Sequence, residues 1–91
     1  MSNNNIPGGW TAFNFDLTPE AQKVFKEAVN LVGATYTPIA FATQVVAGTN
    51  YSFLSKVQAV VPNAQLRVVK VHIHQPLQGQ PHITQIIDIQ P

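Results

Sequence analysis

Two strand-forming runs meet at a single glycine, Gly48, and that junction limits the architecture of the chain more than any other feature. Pro38-Ile-Ala-Phe-Ala-Thr43 lies before it and Tyr51-Ser-Phe-Leu-Ser-Lys-Val57 after it. Ile39, Phe41, Thr43 and Val45 alternate with Ala40, Ala42, Gln44 and Val46, and Tyr51, Phe53, Ser55, Val57 and Ala59 form the next alternating set. A period of two is the signature of a β-strand. Glycine lets the backbone reverse between such runs because it adopts positive φ without a Cβ penalty. The tip itself is unusual. Hairpin turns are normally polar, yet here Val45, Val46 and Ala47 adjoin the glycine. Apolar surface at a hairpin tip is unfavourable in water unless the protein's own core or a partner covers it.

The remainder of the chain suits one small domain. At 91 residues, 45% hydrophobic, it can fill a single core. Only 10% of residues are charged, against roughly 25% in ordinary soluble domains, so solubility rests on sixteen Asn and Gln side chains. A net charge of +1 with no basic run argues against nucleic acid as a partner. The absence of cysteine removes disulfides, thiolate metal sites and a thiol nucleophile. Met1-Ser-Asn-Asn-Asn has neither the basic nor the apolar region of a signal peptide, and no apolar run approaches the roughly 20 residues of a membrane helix. The expectation is a cytoplasmic protein with no membrane segment.

One helix stands out. Thr18 is a good N-cap, Pro19 fits the first helical position and Glu20 suits the positive end of the helix dipole. Ala21, Val24, Phe25, Ala28, Val29 and Val32 follow the spacing of a core-facing stripe, with Gly33 as the stop. Arg67 to Ile73 reads as a strand with Val69, Val71 and Ile73 on one face. Gln75 to Pro81 is a break, and Ile83 to Ile89 reads as the last strand. A short strand around Phe13-Asn14-Phe15 precedes the helix. The pattern predicts an α+β fold, one helix packed across a four- to five-stranded antiparallel sheet. Residues 1–5 are expected to be disordered and residues 6–10 to form an arm.

Gln44-Val45-Val46-Ala47-Gly48 matches the Gln-Val-Val-Ala-Gly signature of the cystatin superfamily, and Thr43 to Tyr51 resembles its stefin branch, the type 1 cystatins. Two further segments match in order. Ile6-Pro7-Gly8-Gly9 is similar to the N-terminal arm of stefins. Gln75-Pro76-Leu77-Gln78-Gly79 resembles the Pro-Trp-Gln-Gly hairpin of many cystatins, with Leu77 where tryptophan would stand. The resemblance extends from about Ile6 to Ile89. It implies a reversible, tight-binding inhibitor of papain-like cysteine proteases, acting as a wedge in the active-site cleft. Ile6, Pro7, Gly8 and Gly9 would reach the non-primed subsites, Gln44, Val45, Val46, Ala47 and Gly48 would lie across the catalytic cysteine, and Pro76 and Leu77 would cover the primed side. It also implies a monomer when active, with a domain-swapped dimer if the apolar tip straightens.

Other chemistries are weakly represented. His72 and His74 share a strand face and His82 lies on the next strand, but no Cys, Asp or Glu accompanies them at ligand spacing, so no metal or other cofactor is expected. Asp16, Glu20, Glu27 and Asp88 are the acidic residues. They form no carboxylate pair and no Ser-His-Asp pattern, so no catalytic residues are expected. The alternative is a cystatin-fold binding or scaffold domain without inhibitory activity.

Overall fold

A computed structural model describes residues 9–91. The fold is α+β: one helix, α1 (Pro19–Ala28), lies on one face of an antiparallel sheet of four strands, β1 (Ala34–Val46), β2 (Gly48–Ala59), β3 (Arg67–Gln75) and β4 (His82–Asp88). The strands neighbour one another in chain order. All connections within the sheet are therefore hairpins, the simplest solution for successive strands. No described helix is long and apolar enough to cross a membrane.

The helix starts where its residues dictate. Thr18 sits in extended backbone and its Oγ1 accepts a hydrogen bond from Ala21 N at 3.1 Å, with Pro19 in the first turn, Glu20 beside it and Lys26 in the last turn. It stops earlier than the apolar spacing suggests, at Ala28. Val29 is the C-cap, its N–H donating to Phe25 O, and Asn30 Nδ2 donates to Glu27 O at 2.7 Å. That side-chain bond supplies a partner to a terminal carbonyl that another helical turn would otherwise satisfy. Val32, expected in the core stripe, is 100% exposed. Gly33, expected as the helix stop, adopts φ +91° at the entry to β1, and its carbonyl accepts from Val60 N at 2.9 Å.

The core lies between α1 and the helix-side positions of the sheet. Ala21, Val24 and Phe25 meet Tyr51, Phe53, Val57, Val69, Val71 and Ile73. Phe53 is its centre: the Phe25 ring meets it edge-on at 4.9 Å and the Tyr51 ring stacks on it at 5.6 Å. A bulge between Pro38 and Ala40 switches which β1 residues face the helix, so that Phe41 pairs with Phe53 and joins this cluster.

The segment around Phe13-Asn14-Phe15 is not a strand but makes two isolated bridges to the outer edge of β1, Trp10 to Gln44 and Asn14 to Phe41. Asn14 Oδ1 accepts from Asp16 N at 2.9 Å, a side-chain turn that bends the chain away from β1 towards the helix. The segment still masks part of an edge that would otherwise offer unpaired backbone groups.

Burial, and then the Glu20 carboxylate, raise the Tyr51 phenol above its ordinary value of 10.0. The folded protein thus holds that proton more tightly than the unfolded chain, and the stability it contributes is complete below pH 10 and lost as pH rises through the folded value. Thermal melts are expected to fall more steeply above pH 10 for the native chain than for Tyr51→Phe; identical slopes would show that Tyr51 does not carry the effect.

Candidate functional site

The two hairpin segments singled out by sequence lie at one end of the sheet. β1 ends at Val46, β2 begins at Gly48, β3 ends at Gln75 and β4 begins at His82, so both hairpin loops emerge there. The bridge from Trp10 to Gln44 brings Gly9 to the same end by covalent attachment. Ile6, Pro7 and Gly8 lie outside the described residues.

The first hairpin is as tight as the sequence requires. Val46 pairs with Gly48 and Val45 with Thr49, leaving Ala47 alone at the tip. Gly48 adopts φ +96°. A second constraint on it is absent from the local sequence: a Cβ at this position would overlap the Gln75 carbonyl oxygen and stand 3.0 Å from Pro76 Cα. Glycine is needed both for the bend and for the contact with the next loop. Across that contact, the Gln44–Gly48 tip lies beside the Pro76-Leu77 loop.

Gln75 fastens the second loop. Its Nε2 donates to Pro76 O at 3.1 Å and to Gly79 O at 3.0 Å, and Gly79 takes φ +114°. Pro81 is buried at the loop's return. The result is a loop with a fixed base and an outward tip, where Leu77 is 80% exposed.

A polar chain stiffens the base of the first hairpin. Gln44, Asn50, His74 and His82 occupy successive cross-strand positions on the helix-free face. Asn50 Nδ2 donates to Gln44 Oε1 at 2.8 Å, and His74 Nδ1 donates to Asn50 Oδ1 at 2.7 Å. The His82 ring meets His74 edge-on at 5.6 Å. Asn50 is a support of the first hairpin that the sequence reading passed over, while His74, read there only beside the other histidines, and Gln75, read only as part of the second loop, also fasten these loops through side-chain bonds. The signal for Asn50 was available: it mirrors Gln44 about Ala47, the centre of the hairpin.

The tips are apolar and unpaired with charge. Val45 is 63% exposed, Val46 and Ala47 are exposed, and Pro76 is half-buried. None of Gly9, Gln44–Gly48 or Pro76-Leu77 carries a formal charge, so covering them does not require dehydrating an ion. Among the described residues the ion pair is Arg67 with Asp88, 2.8 Å apart, on strand residues at the opposite end of the sheet. Both partners are exposed, and such a pair contributes little.

Among the described residues no group of three His, Cys, Asp or Glu side chains is placed to hold an ion. His74 and His82 face each other, whereas the His72 ring lies against Trp10 at 5.7 Å. No protein-family model matches the chain, and no curated protein matches it.

Proposed function

We propose that this protein is a reversible, tight-binding inhibitor of papain-like cysteine proteases, of the cystatin type. The observation that carries the reading is the contact of Gly48 with Gln75 and Pro76. It sets two uncharged, apolar tips side by side along one end of a sheet, beside the entry of an arm whose sequence, Ile6-Pro7-Gly8-Gly9, is also uncharged. Such a row suits a narrow protein cleft. Its hairpins are ordered before binding, so little entropy is lost on docking them. Apolar burial contributes roughly 25 cal/mol per Å² before association costs. Inhibition is by occlusion, without cleavage of the inhibitor, and the active species is the monomer.

The test is inhibition of papain by the whole chain, by the chain lacking residues 1–8, and by Leu77→Glu. Each alteration is expected to raise the inhibition constant at least about tenfold, the first by removing the arm and the second by placing an unpaired charge in a dehydrated contact. Leu77 is exposed in the free protein, so Leu77→Glu should leave the melting temperature unchanged. Unaltered inhibition by both would overturn the proposed contact surface.

Association should also be insensitive to salt. With nine charged residues, a net charge of +1 and none on the three contact segments, steering is weak. The association rate is expected to change less than about threefold between low and moderate ionic strength. A fall of more than about tenfold in stopped-flow measurements would show that charge outside these segments governs docking.

A further inference from the structure

The helix-free face of the sheet carries a second feature, away from the hairpin tips. Ala42, Ser52 and His72 are successive cross-strand partners on β1, β2 and β3. Two small side chains in a row leave a depression. Residues 10–14 form a wall over it, held to β1 by hydrogen bonds from Thr11 N to Thr43 O (2.9 Å), from Asn14 N to Phe41 O (2.8 Å) and from Phe41 N to Asn14 O (3.0 Å). The result is a cavity of about 180 Å³ whose walls include Trp10, Phe13, Ala42, Ser52, Lys70 and His72.

Three properties define what fits it. First, Ser52 is 5% exposed and its Oγ is buried with no hydrogen-bond partner. Buried hydroxyls are rarely left so, because the lost bond to water is not replaced. Second, the formal charge on this face is positive and belongs to Lys56 and Lys70. Lys56, Lys70, His72, His74 and His82 occupy its strand positions by register, whereas Asp88 pairs with Val69 on the helix side, Glu20 and Glu27 belong to α1, and Asp16 lies in the connection leading to it. Among the described residues Lys70 has no ion-pair partner. Burial, and then the Lys70 ammonium, hold His72 below the ordinary imidazole range. Third, Trp10 and Phe13 give the cavity aromatic walls, and a cavity of about 150 Å³ is known to accept one benzene ring.

We infer that this cavity binds a small aromatic monocarboxylate, its ring between Trp10 and Phe13 and its carboxylate accepting hydrogen bonds from the Ser52 hydroxyl and the Lys70 ammonium. The ligand gives a partner to the Ser52 hydroxyl, which has none among the described residues, and neutralises Lys70, which has no ion-pair partner among them. The site shares no residue with the proposed protease contacts, although Trp10 pairs with Gln44, and it stands whether or not the chain is an inhibitor.

Trp10 is the chain's single tryptophan, so its fluorescence reports directly. The whole chain is titrated with phenylacetate, with benzyl alcohol as a ring lacking charge and acetate as a charge lacking a ring. Phenylacetate is expected to give a saturable change with a dissociation constant of about 0.1–1 mM, in keeping with so small a ligand. Benzyl alcohol and acetate should each bind at least about tenfold more weakly. Lys70→Gln should weaken phenylacetate at least about tenfold and Ser52→Ala several-fold, the scale of lost hydrogen bonds to a charged group. Circular dichroism checks that both variants are folded, and should Ser52→Ala fail that check, Lys70→Gln and the ligand series still decide. No saturable change up to about 10 mM phenylacetate, or equal binding of phenylacetate and benzyl alcohol, or an unaltered constant in Lys70→Gln, would overturn the assignment.

Discussion

Gly48→Val is expected to weaken inhibition of papain by about a hundredfold. Two effects combine. A β-branched residue is poorly accommodated at φ +96°, which costs about 1–3 kcal/mol. Its Cβ must also displace the Gln75 carbonyl or the Pro76 backbone, which separates the two tips and removes part of the apolar contact. Relief is available if Val45, Val46 and Ala47 extend straight and β1 runs on into β2, with strands exchanged between two copies. The variant is therefore expected to show a dimer in size-exclusion chromatography that the native chain lacks. Gly33→Ala is the matched control. Gly33 has a similar φ of +91°, but no atom lies within 4 Å of the Cβ position. That variant should lose about 1 kcal/mol of stability and inhibit normally. Normal inhibition by Gly48→Val would remove the contact between the loops from the account.

Phe53→Ala has the largest expected effect on stability. Phe53 is fully buried and touches the rings of Phe25, Phe41 and Tyr51. Truncation of such a side chain costs about 3–5 kcal/mol, a large share of the roughly 5–15 kcal/mol that holds a domain together. The melting temperature should fall by roughly 15 °C or more. Val32→Ala gives the contrast. The apolar spacing assigns Val32 to the same core, whereas the structure leaves it fully exposed, so its truncation should change stability by less than about 0.5 kcal/mol. A melting temperature that falls comparably in both variants would mean that α1 continues past Ala28 and packs Val32 inwards.

That contrast marks how far the sequence was legible. Local rules identified the start of α1, because Thr18, Pro19 and Glu20 each act within one turn. Alternation put Tyr51, Phe53 and Val57 on one face of their strand and Val69, Val71 and Ile73 on one face of theirs, and the structure turns both faces to the core. The helix end was missed because Val29 and Val32 continue the apolar period, while the Asn30 side chain bonding back to Glu27 O is not a periodic signal. The segment around Phe13-Asn14-Phe15 was read as a short strand, but the turn at Asn14 and Asp16 breaks its pairing. The sequence motifs marked the tips of the candidate site. Their mutual contact was not legible, since Gly48 and Pro76 are 28 positions apart in the numbering and meet only once β2 and β3 are paired. The cavity beneath Trp10 was equally hidden, because Ala42 and Ser52 matter through their facing positions rather than their types.

The central claim is that the uncharged end of this sheet blocks a papain-like active site. Its most direct test is an active-site titration: papain at fixed concentration, the whole chain added in steps to micromolar excess, residual activity read with a fluorogenic peptide, and the chain then weighed by mass spectrometry. The account predicts a linear fall to no activity at one equivalent, with the chain recovered intact. Full activity at micromolar excess, or recovery of activity as the chain is cut, would contradict it.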